Sequence, residues 1–96
     1  MLDKADLLRR NKRDFLQAES IIADATELAS GSDDFDLMTL CSAYFFMLLV
    51  DARRYDEALL LYDKYKYEFA GLYQRLPDVL YAEQELKKVV EKWLKN

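Results

Sequence analysis

Residues 53–65, RRYDEALLLYDKY, decide how this chain folds. Tyr55 is followed three residues on by Ala58 and four further on by Tyr62, a spacing that puts all three on one helical face with a small residue in the middle. Residues 13–25, RDFLQAESIIADA, repeat the phrase with Phe15, Ala18 and Ile22, and a basic residue (Arg13, Arg53) stands two before each aromatic. Ala18 and Ala58 are 40 residues apart. Self-similarity at such a period is the mark of stacked helical hairpins, in which each unit buries its apolar face against the next.

The rest of the composition agrees with helix. The chain has 96 residues, enough for one domain and one core, so residues 1–96 are read as a single helical domain. It is 52% hydrophobic and 33% charged, with two glycines and one proline. Its net charge of −4 is the reverse of what neutralising a phosphate backbone requires, so nucleic acid is not expected as a partner. The lone Cys41 excludes an internal disulfide. The first residues, MLDKADLLRRNKRD, lack the basic-then-apolar order of a secretory signal. The longest apolar run, Leu40 to Val50, is shorter than the roughly 20 residues a bilayer span needs and contains Ser42. A cytoplasmic protein without a membrane partner is the expectation.

Along the chain, Leu8, Phe15, Ala18, Ile22, Ala25 and Ala29 follow helical spacing, either as one helix from Asp3 to Ser30 or as two with a turn at Asn11 to Asp14. The repeat favours the break, because Asp14 can cap a new helix and the basic cluster Arg9, Arg10, Lys12, Arg13 suits the end of the preceding one. Gly31 is placed to end the unit in a left-handed cap, with Ser32, Asp33 and Asp34 accepting the first N–H groups of the next helix. Phe35 to Val50 is apolar almost all round and should lie centrally or be completed by a partner. A helix from Tyr55 to about Gly71 follows. The last, from near Pro77 to Lys95, presents Val79, Ala82, Leu86, Val89 and Trp93 as its core face, with Glu83–Lys87 and Glu91–Lys95 as surface pairs. The fold expected is all-α: four or five antiparallel helices, arranged as hairpins with a C-terminal capping helix.

The segment ARRYDEALLLYDKY, with Tyr55, Ala58 and Tyr62, resembles the second-helix signature of tetratricopeptide repeats, and Phe15, Ala18 and Ile22 match it more loosely. Ser42 and Phe46 stand where that family carries its first-helix tryptophan and glycine, and the period of 40 exceeds its usual value of about 34. The resemblance implies protein or peptide binding in a groove formed by the first helices of each pair. The Lys and Asn positions of the family's carboxylate clamp have no match here, so a chaperone C-terminus is not the implied ligand. The chain is also similar in size to the small repeat-like chaperones that hold needle subunits of bacterial type III secretion systems on an apolar concave face.

Catalysis has little to work with: no histidine, no Ser/His or Cys/His arrangement and no Gly-rich phosphate loop. Neither an enzyme nor a cofactor is therefore expected. Cys41 lies in the apolar helix as a small hydrophobe. Asp33, Asp34 and Asp36 lack the glycine and distal glutamate of a calcium loop and read as caps, so no metal is expected. Seven tyrosines exceed what a small core requires. Tyr55, Tyr62 and Tyr65 suit packing, whereas Tyr44, Met47, Tyr67, Tyr73 and Tyr81 are the expected partner-binding residues. The function expected is a non-enzymatic binding module: a small adaptor, chaperone or regulatory partner for another polypeptide. The alternative is a helical-bundle homodimer whose apolar surface is its self-interface.

Overall fold

A computed structural model describes residues 2–12, 14–32 and 34–95, without the side chains of residues 3, 11 and 12. The parts expected of Arg13 in the basic cluster and of Asp33 in the cap lie outside the described residues. Five α-helices and no strand are found among those described: α1 (Leu2–Leu7), continued by a π-helical turn (Leu8–Lys12), α2 (Phe15–Ser32), α3 (Phe35–Asp51), α4 (Tyr55–Ala70) and α5 (Pro77–Lys95). The chain is all-α.

Short polar residues set the helix starts. The Asp14 carboxylate accepts the Gln17 N–H at 3.2 Å, which breaks the first segment from α2 as the repeat requires. Asp34 does the same for α3, accepting the Leu37 N–H at 3.1 Å. Pro77 opens α5, where its missing N–H costs nothing.

Two ends differ from expectation. Gly31 lies inside α2, no glycine described has a positive φ, and the Asp34 N–H reaches back to the Ala29 carbonyl at 3.4 Å. Ser32 donates to the same carbonyl at 3.1 Å, so the Ala29 carbonyl is satisfied twice over. Among the described residues the left-handed position is Arg53, φ 61°, after α3. There the Arg54 N–H bonds Leu49 O at 2.8 Å and the Arg53 N–H bonds Val50 O at 3.1 Å, the paired bonds of a Schellman cap. A side chain at this site is strained, so Arg53→Gly should raise stability by up to about 1 kcal/mol. A lower melting temperature would mean that the arginine side chain, and not the backbone, holds the turn.

The centre is α3, which packs against α2, α4, α5 and α1. Phe46, Met47, Leu48, Leu49 and Val50 are all buried. One core cluster joins α3 to α4 and α5 through Phe46, Ala58, Phe69, Val79 and Leu86. The other joins α1 and α2 to Leu48 through Ala5, Leu8, Ala18 and Ile22, so the N-terminal segment covers the apolar helix near Leu48. Ala18 and Ala58, the alanines of the two phrases, are both fully buried. A methyl there lets helices approach closely. Ala58→Leu should therefore overpack α4 and cost about 1–3 kcal/mol, and an unchanged melt would remove the close crossing from the account.

Trp93 departs from its expected place. It is 45% exposed, with the ring of Tyr55 edge-on at 6.5 Å between centroids, because α5 is exposed from Glu91 onward. Its neighbour on the stripe, Val89, is half-buried.

Candidate functional site

Small residues fix how α2 meets α3. Three of the four buried positions of α2 are alanines, Ala18, Ala25 and Ala29, with Ile22 the fourth. The positions beside that stripe, Glu19, Ala23, Thr26, Glu27 and Ser30, border an open cleft of about 710 Å³ whose other wall is Met38 and Phe45 of α3. Its volume falls within the range of ligand sites, about 300–1,000 Å³. A smaller hollow adjoins it, sharing Ser30 and Met38 and ending at the exposed Phe35.

The cleft is apolar within and acidic at its rim. Ile22, Ala23, Met38 and Phe45 supply hydrocarbon, and Glu19 and Glu27 supply charge. Arg54, at the start of α4, reaches Glu19 at 2.8 Å and grips Glu57 through two bonds of 2.5 and 2.9 Å. These hydrogen bonds, to Glu57 first and Glu19 next, raise the guanidinium pKa, and Arg54 in turn lowers that of Glu57. The Thr26 hydroxyl is used within its own helix, donating to Ile22 O at 2.8 Å. Behind it Cys41 is fully buried, and burial pushes the thiol pKa up, opposed in part by the neighbouring Thr26 side chain. Such a thiol is a packing group and not an activated nucleophile.

The five tyrosine and methionine positions singled out from sequence do not form one face. Met47 is 1% exposed and belongs to the core, because α1, α2, α4 and α5 between them enclose the C-terminal half of α3. Tyr44 is half-buried against both core clusters. The Tyr73 hydroxyl donates to Glu83. Tyr67 and Tyr81 are 81% and 63% exposed, the latter beside a pocket that Arg9 also lines. Sequence reasoning missed the cleft itself, whose only linear trace is the alanine stripe of α2.

The chain matches no family model, no curated protein and no solved structure. Among the described residues, no three His, Cys, Asp or Glu side chains gather as ligands for a metal ion, and no helix is long and apolar enough to cross a membrane.

Two polar centres tie the other helices together, one part-buried and one buried. Arg9, its side chain 10% exposed, donates to Asp51 at 2.5 Å, Asp6 at 2.8 Å and Asp78 at 3.4 Å, tying the N-terminal segment to α3 and α5. Burial alone would lower its pKa, but the bonds to Asp6 and Asp51 outweigh that and the pKa is raised. The basic cluster read from sequence is thus partly structural: Arg9 and Arg10 are both engaged by carboxylates. The second centre is Glu83, 5% exposed, which accepts from Tyr62 at 2.7 Å and from Tyr73, and pairs with Lys87 at 2.9 Å. Sequence placed Glu83 on the surface, yet it lies four residues after Val79 and three before Leu86, on the core stripe.

Burial first, and then the bond to Glu83, raise the Tyr62 phenol from 10.0 to about 12. The folded state holds this proton more tightly than the unfolded state. Its contribution to stability is therefore complete below about pH 10 and is lost as the pH rises toward about 12. A tyrosinate absorbance titration should show one phenol ionising well after the exposed ones. A Tyr62→Phe variant that keeps the late-titrating phenol would assign it elsewhere.

Proposed function

We propose that this protein is a non-enzymatic polypeptide-binding module, a small adaptor, chaperone or regulatory partner acting in the cytoplasm, with its helices stacked in tetratricopeptide-like hairpins. The observation that carries the reading is the cleft between α2 and α3. In a chain of 96 residues, an apolar hollow of about 710 Å³ bordered by Ala23, Met38 and Phe45 leaves hydrocarbon for another molecule to cover. Two of the polar groups near it are already used to hold the fold: Thr26 within its own helix, Glu19 on Arg54. That arrangement suits docking better than chemistry.

Binding should depend on the cleft and not on the exposed tyrosines. Affinity capture by the intact chain, followed by mass spectrometry, should recover a polypeptide that Met38→Glu loses and Tyr67→Ala retains, with both variants keeping the wild-type circular dichroism spectrum. Light scattering on the same samples covers the homodimer. A stable dimer of the isolated chain that Met38→Glu dissociates would make the cleft a self-interface. Capture indifferent to Met38 would remove the cleft from the function.

A further inference from the structure

We propose that the α2–α3 cleft receives an amphipathic helix from a partner chain, its apolar side flanked by lysine or arginine; the inference rests on the reading of the protein as a polypeptide-binding module.

The backbone around the cleft selects a helix. The cleft is walled by two helices, whose main-chain groups are bonded within themselves except in the last turn of α2, and the hydroxyl of Thr26 is already committed to Ile22 O. An extended segment laid there would find neither a strand edge nor a row of donors and acceptors for its own amides. A helix brings its backbone already satisfied and needs only an apolar face. The lining residues of α2 run from Glu19 to Gly31, about 18 Å along the axis, the length of roughly three turns. Met38, unbranched and polarizable, adapts to side chains of different shape.

Charge selects the flanks. The chain carries −4 overall, and the cleft's charged lining residues are Glu19 and Glu27, about two turns or roughly 12 Å apart on α2. Glu19 is held by Arg54 at 2.8 Å, so a cation arriving at that end must contend with Arg54. Glu27 is exposed at the other end and is the anion an incoming lysine or arginine meets first. A partner flanked by acids would instead face like charge at the rim.

The probes are two synthetic leucine–alanine helices of about four turns, one flanked by lysines spaced to match Glu19 and Glu27, the other carrying glutamates in the same places. The readout is the methyl resonances of Met38, in the cleft, and Met47, in the core, in the full chain. The lysine-flanked helix should move the Met38 methyl and leave Met47 in place. The glutamate-flanked helix should bind about tenfold more weakly, and Glu27→Lys, at an exposed position, should reverse the order. Equal binding of both helices, or a preference unmoved by Glu27→Lys, would overturn the charge selection while leaving the cleft as a docking site. A Met38 methyl that responds to neither helix would overturn the docking reading itself.

Discussion

Truncating Phe46 to alanine is expected to lower the free energy of unfolding by about 4 kcal/mol, as for other large aromatic truncations in cores. Phe46 is fully buried on α3 and packs against two rings of α4, stacked on Tyr62 at 5.8 Å and tilted against Phe69 at 5.2 Å between centroids. Phe69 in turn stacks on Tyr65 at 5.9 Å, so the ring of Phe46 joins a ladder of aromatics on α4 to the central helix. Alanine would leave a cavity lined by rigid rings that cannot collapse into it. Since a small domain has only about 5–15 kcal/mol of stability in all, the loss should bring the denaturation midpoint down sharply. A loss under about 1 kcal/mol in urea unfolding would mean that α3 and α4 are not held together at this point.

Glu83→Ala should cost about 3 kcal/mol, through the loss of a buried acceptor and not through hydrophobic burial. Glu83 joins Tyr62 on α4 and Tyr73 in the following turn to its own helix α5. Removing the carboxylate strands both phenols beside the core. The triple variant Glu83→Leu, Tyr62→Phe, Tyr73→Phe removes donors and acceptor together and should be appreciably more stable than Glu83→Ala, because a fully apolar replacement leaves nothing unpaired. If the triple variant is the less stable of the two, the network contributes net stability beyond satisfying itself.

Much of this architecture is written locally. Asp14 and Asp34 cap the helices they precede, Pro77 opens α5, and Ala18 and Ala58 bury their methyls where the repeated phrase puts them. Each depends on neighbours within one helical turn, which a linear reading can weigh. What escaped depends on distance in space. Arg9 meets Asp51 and Asp78 across 42 and 69 positions of sequence, a pairing that exists only once α1, α3 and α5 converge. Glu83 looked like half of a surface pair with Lys87, and its partners Tyr62 and Tyr73 come from other elements. Met47 looked like a contact residue, yet it packs into the cluster that α3 forms with α4 and α5. Trp93 looked like core because the apolar spacing of α5 continues past the point where the bundle stops covering it. The cleft is the clearest case, since its shape is set by how closely α2 meets α3 and no residue in the stripe announces it.

Hydrogen exchange of the chain, alone and with the polypeptide it captures, tests the central claim most directly. Exchange reports local opening along every helix at once, so it locates a bound partner without presuming its identity. Added protection should concentrate in residues 19–31 of α2 and 35–45 of α3, the two walls of the cleft, while α4 and α5 exchange as in the free protein. Protection confined to residues 60–67 and 81–94, around the exposed Leu60, Tyr67, Tyr81 and Leu94, would place the partner elsewhere and contradict it.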